Sequence, residues 1–233
     1  MRDREIDEIL KRAARAPQEV DPALLDRIAG SIAPSLVPVH PLPPARVLAA
    51  GLVLICVAVA LGGGTLLGLH GIQRMSALER ALIFPALGIF VSLAAGACLG
   101  EIIPGSRRRL APAFVLAGAS LGMLAVFALL FRGYHTEHFV SQGIVCLTAG
   151  LALAIPAALG SWLLLRRGYA VNPAGAGLVA GTLAGLAGVT MLELHCPNFE
   201  APHVMLWHTA VVPVSAAAGA LLASACARWR QGT

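Results

Sequence analysis

Charge is scarce in this chain. Asp, Glu, Lys and Arg make up only 12% of its 233 residues, about half the share a soluble domain carries. No ionisable residue falls near the middle of any long apolar run, where ion-coupled transporters place the groups that bind their ions. There is no HExxH, no GxSxG, no pair of intramembrane aspartates and no nucleotide-binding loop, so no enzyme is expected. The five cysteines follow no CxxC spacing, which removes zinc fingers and ribbons. A secretory signal peptide is not expected either. The first apolar run starts after about 45 residues and is too long for a signal-peptide core. Internal repeats are lacking as well.

What is present is apolar. Hydrophobic residues make up 58% and mean hydropathy is +0.79. Six stretches, near 47–69, 81–103, 110–131, 143–165, 174–195 and 204–226, are almost free of charge, and each is long enough for a spanning helix. Backbone amides in hydrocarbon must be satisfied within the segment, so the spans are expected to be helices. The fold class is therefore all-α, a six-helix transmembrane bundle (residues 46–233) behind a short helical cytoplasmic segment (residues 1–45). Fourteen of the 17 Lys and Arg lie before the first span, in the second and fourth loops, or after the last span. The positive-inside rule then puts both termini in the cytoplasm. The arginines flank apolar runs and form no basic face, so the formal charge of +5 does not imply nucleic-acid binding.

Gly177, Gly181 and Gly185 recur every four residues, making a smooth stripe on which a neighbouring helix can approach closely. Gly118 with Gly122, and Gly96 with Gly100, repeat the spacing. Such stripes serve packing inside the bundle or a dimer interface. Pro85, Pro156 and Pro213 fall inside spans, where proline kinks a helix. The first 45 residues read differently. Ile6, Ile9 and Leu10 follow helical spacing. Asp21 and Pro22 are a helix cap and first position, followed by a face carrying Leu24, Leu25, Ile28 and Ile32. A proline-rich spacer then leads to the membrane. Two short amphipathic helices need a surface to cover them. The segment holds six Lys/Arg before Arg46 against seven Asp/Glu, which favours a protein partner over anionic lipid.

Residues 192–208 gather His195, His203, His208, Cys196, Glu193 and Glu200 into seventeen positions. By the topology above, six of the seven histidines lie on the outer side, His135 and His138 among them. Cys146 and Cys196 reach similar depth near an oxidising compartment. If their helices touch, the two can form a disulfide. With neighbouring imidazoles they can instead bind a soft metal such as zinc, copper(I) or cadmium. The plain alternative is a polar rim at the membrane interface, where imidazoles and Trp207 are comfortable.

Several features together resemble one known family: a short cytoplasmic tail, Pro43-Pro44-x-Arg46 before the first span, six spans, Cys146 at the start of the fourth, and His195-Cys196-Pro197 through Trp207 before the sixth. The resemblance is to the NrsF-like membrane anti-sigma factors. It implies a bacterial inner-membrane protein whose cytoplasmic segment holds an extracytoplasmic-function sigma factor inactive. It also implies that Cys146 and Cys196 sense a periplasmic metal or oxidative signal. In this reading Ile6, Ile9, Leu10, Leu24, Leu25 and Ile28 are candidates for holding the sigma factor. His135, His138, His195, His203 and His208 are candidate metal ligands from topology alone, and no cofactor is implied beyond a transiently bound soft metal ion. The chain lacks the His-xxx-Cys-xx-Cys pattern of soluble zinc-containing anti-sigma factors. The alternative function is a small metal or solute transporter or an accessory to one.

Overall fold

The computed structural model describes Glu8, Lys11 and residues 21–35, 42–103, 110–135, 138–166, 168 and 170–231. The chain divides into two compact units, Met1–Pro41 and Leu42–Thr233. In the first, α1 spans Pro22–Ile32. The Asp21 carboxylate accepts the Ala23 N–H at 3.0 Å, meeting one of the donors a helix start leaves open. Leu24, Leu25 and Ile28 are 44–53% exposed. Ile6, Ile9 and Leu10 lie outside the described residues.

The second unit is a helical bundle with no strand among its described residues. Its helices are α2 (Ala45–Leu67), the short α3 (His70–Arg74), α4 (Ala77–Ile102), α5 (Pro112–Leu130), α6 (Phe139–Leu165) and α7 (Pro173–His195). The last rod runs through α8 (Ala201–His203), a π-turn (Val204–His208) and α9 (Thr209–Gln231). Six helices are long and apolar enough to cross a membrane, and the chain is a multi-pass membrane protein. Leu66, Phe114, Leu129 and Leu221 point outward at 70–87% exposure, tolerable only where the solvent is itself apolar.

Local chemistry explains where the rods begin and end. Gly68, at φ +98°, closes α2 in a conformation glycine adopts freely. Ser76 and Glu79 form a capping box at α4, with the Ser76 N–H donating to Glu79 at 2.6 Å. Arg80 donates to the Met75 carbonyl at 2.7 Å. With its charge spent on that carbonyl, Arg80 is carried inside the helix, so α4 starts before the uncharged stretch does.

The centre of the bundle is α7. Its hydropathy is the lowest of the six spans, 1.6, yet 72% of its most apolar stretch is buried, against 17–44% elsewhere. Smallness achieves this. A Cβ on Gly177 would strike the Gly219 carbonyl oxygen, and one on Gly181 the Ser215 carbonyl oxygen. The glycine stripe of α7 therefore packs inside the bundle, against α9. Gly96 and Gly118 have nothing within 4 Å of such a Cβ, and Gly122 lies under the Phe90 ring. Pro85, Pro156 and Pro213 sit within α4, α6 and α9.

Candidate functional site

One end of α7 meets the start of α6 and the start of the last rod. The Cys196 N–H closes the final turn of α7 onto the Leu192 carbonyl at 2.7 Å. Pro197 to Glu200 then turn the chain into α8, which has proline in its first turn. Because α6 begins at Phe139, Cys146 stands two turns inside it. Its Sγ lies 3.4 Å from Cys196 Sγ. On the other side, Cys196 Sγ is 3.6 Å from His203 Nε2.

His203 and His208 are five residues apart, which in a regular α-helix puts them about 140° apart around the axis. The π-turn Val204–His208 absorbs one extra residue and swings them to the same side. Their rings meet edge to face with centroids 5.2 Å apart. His208 Nδ1–H donates to Glu193 Oε1 at 2.7 Å, with both side chains fully buried. That bond fixes the tautomer and turns Nε2 away from the carboxylate. His208 Nε2, His203 Nδ1 and Glu193 Oε2 are buried without a partner. One donor atom from each of Cys146, Cys196, His203 and His208 lies within 4.8 Å of the other three.

A cleft of about 400 Å³ reaches this cluster past Ser141, Gln142, His195 and Asn198. Asn198 donates to Gln142 across its mouth at 2.8 Å. Trp207 lies over Gly143, where any side chain would overlap the indole ring, and its ring is 5.6 Å from that of Phe139. In the connection between α7 and α8, the Cys196 thiol is held above the ordinary thiol range. The S–H bond to Cys146 contributes most, burial adds to it, and His203 pulls the other way. Glu200 is shifted below the usual carboxylate range, first by the His135 backbone N–H and then by the His135 ring.

Of the five histidines named from topology, the structure brings His203 and His208 to the cysteines and leaves three apart. His135 pairs with Glu200, its N–H at 3.0 Å and its ring Nδ1 at 3.2 Å. His138 caps α6 at φ +57°, and its carbonyl accepts the Gln142 N–H at 3.0 Å. His195 Nδ1–H donates to the Gly68 carbonyl at 3.0 Å. Sequence reasoning missed the part played by Glu193. It lies fifteen positions before His208, and no local spacing links two groups joined only through helix packing.

Chemically the cluster can do two things. Two thiols in sulfur contact can lose two protons and two electrons to an oxidant and join. Two thiolates and two imidazoles can hold a soft cation. His208 already has the carboxylate partner typical of metal-bound histidines.

Comparison with known proteins agrees with the architecture. A family described as NrsF, negative regulator of sigma F, matches residues 32–229. A curated relative from Azospira oryzae, named probable anti-sigma-F factor NrsF, is 30% identical over 188 residues, covering 74% of this chain and 88% of its own length. No solved structure matches the chain. With most of its length covered by a regulatory rather than catalytic family, the chain belongs to the NrsF family of membrane-spanning negative regulators of a sigma factor.

Proposed function

We propose that this protein holds a sigma factor of the extracytoplasmic-function class at the bacterial inner membrane and releases it when Cys146 and Cys196 react with a periplasmic oxidant or metal. The observation that carries the sensory part is the 3.4 Å contact between the two sulfurs, reached by a cleft at the end of the central helix. The excess of arginine and lysine in the tails and the second and fourth loops supports cytoplasmic termini and an outward-facing cleft. The exposed row Leu24, Leu25 and Ile28 on α1 suits helix-in-groove capture of a protein. Chemistry at the cysteines would favour one of two packings of α6, α7 and the last rod, altering how residues 1–45 are presented.

The test is a sigma-dependent reporter in the host, with partner retention followed by co-purification of the full chain. Changing both Cys146→Ser and Cys196→Ser should leave the sigma factor bound and the reporter silent under oxidant and metal alike. A double variant that still induces fully overturns the sensory reading. Leu24→Asp with Ile28→Asp should release the partner constitutively, and unchanged retention would remove α1 from the binding surface.

A further inference from the structure

We propose that Cys146, Cys196, His203 and His208 form a four-coordinate site for a soft divalent d10 cation, Zn²⁺ or Cd²⁺, with Glu193 holding His208 from behind as a positioning residue. The binding stands on geometry, while its regulatory consequence rests on the sensory reading above.

The donor set is Cys2His2, the chemistry of tetrahedral zinc sites. Metal bonds of about 2.3 Å to sulfur and about 2.0–2.1 Å to nitrogen separate two bound sulfurs by about 3.7 Å, and a sulfur from a nitrogen by about 3.6 Å. The Cys146–Cys196 and Cys196–His203 edges are 3.4 and 3.6 Å. No edge among the four donors exceeds 4.8 Å, so the remaining edges must close by about 1.5 Å at most.

Burial adds an independent argument. His208 Nε2 is a buried nitrogen without a hydrogen-bond partner, and such a group is costly and rare unless something occupies it. Glu193 fixes His208 through Nδ1, which leaves Nε2 as the nitrogen able to ligate. The charges also suit an apolar site. Two thiolates and two neutral imidazoles cancel a divalent cation, and binding expels the two thiol protons into the cleft. Three of the four ligands line the cleft and the fourth closes it from inside, so an entering ion meets the cysteines and His203 first. A bound ion occupies both thiolates and prevents their joining, so metal and disulfide are mutually exclusive states of one site.

The experiment uses the full chain, reduced and reconstituted in lipid nanodiscs, titrated with Co²⁺ as a spectroscopic probe and then with Zn²⁺ and Cd²⁺. One equivalent of Co²⁺ should give intense tetrahedral ligand-field bands with sulfur-to-cobalt charge transfer, displaced by one equivalent of Zn²⁺ or Cd²⁺. Glu193→Gln should keep the spectrum and weaken affinity about 10–100-fold. His203→Ala with His208→Ala should lose the tetrahedral bands, while His135→Ala should change nothing. The wild-type chain oxidised to its disulfide should bind no Co²⁺, a comparison that needs no variant to fold. Octahedral bands, or tetrahedral bands that survive loss of both histidines, overturn the assignment. So does absence of binding by a reduced wild-type preparation. If that preparation still carries its sigma factor, the anti-sigma reading stands without a metal. If it binds metal but no sigma factor, the site stands and the regulatory reading falls.

Discussion

Changing Gly181 to alanine adds one methyl group where two helix backbones already touch. The new Cβ would stand 2.8 Å from both Ala216 Cα and the Ser215 carbonyl carbon, and closer still to the Ser215 oxygen. Carbon pairs rest at about 3.5–4.0 Å, so α7 and α9 would have to part by about 1 Å. Overpacking of that size costs about 1–3 kcal/mol, and replacing a helical glycine returns about 1 kcal/mol. The net loss is about 0–2 kcal/mol, or up to about 8 °C for a chain of this size. Gly96 and Gly118 have nothing within 4 Å of an added Cβ; alanine there should leave the protein as stable or slightly more so. The assay is thermal unfolding in micelles, followed by dye labelling of thiols after the exposed Cys226 has been blocked. Cys56 is a good reporter, because it is buried and directed at the Leu183 carbonyl of α7 at 3.9 Å. If Gly181→Ala and Gly118→Ala unfold at the same temperature, the smooth contact between α7 and α9 is not what holds the bundle's centre together.

Two further outcomes are expected. Diamide should join Cys146 to Cys196 within one chain, two protons and two electrons passing to the reagent, while buried Cys56 and Cys98 stay reduced. Peptide mapping without reductant reads this directly, and bridges only through Cys226 would contradict it. The Glu200 carboxylate binds the His135 N–H as an anion. Its contribution should be complete above the ordinary glutamate range and lost as pH falls through its lowered value. Hydrogen exchange of the His135 amide, expressed as a protection factor, should show this fall; Glu200→Gln should lower protection at neutral pH and flatten the profile. Protection independent of pH in the unaltered chain would mean that the pair does not order this connection.

Much of the architecture can be read from residue order alone, because a spanning helix needs only length and lack of charge. The uncharged stretches near 174–195 and 110–131 lie within two residues of Pro173–His195 and Pro112–Leu130. The reading falls short where a helix carries a charge inside its first turns. Arg80 hid the start of α4 at Ala77, since its bond to the Met75 carbonyl depends on the fold. The site was half legible. Cysteines at matching depth on successive spans pointed to a meeting at the membrane surface. The choice among histidines did not follow, because periodicity assumes a regular helix and places His203 and His208 on different faces. Nor could the burial of Glu193 be foreseen, since a glutamate near a span end ordinarily reaches water, whereas here the last rod covers it.

The π-turn makes residue counting along the last rod consequential. One surplus residue within Val204–His208 advances everything after it by about 100° relative to an uninterrupted helix. That advance decides which side of α9 offers Val212, Ser215, Ala216 and Gly219 to the glycines of α7. The same residue decides that both histidines turn toward the cysteines. Chemistry at one end and phasing along the rest thus share a single register. Drawing the histidines inward cannot smooth out the π-turn unless the rod below also rotates, and there the backbone contacts resist. Deleting a residue anywhere between His203 and Val212 would therefore be felt at both places together.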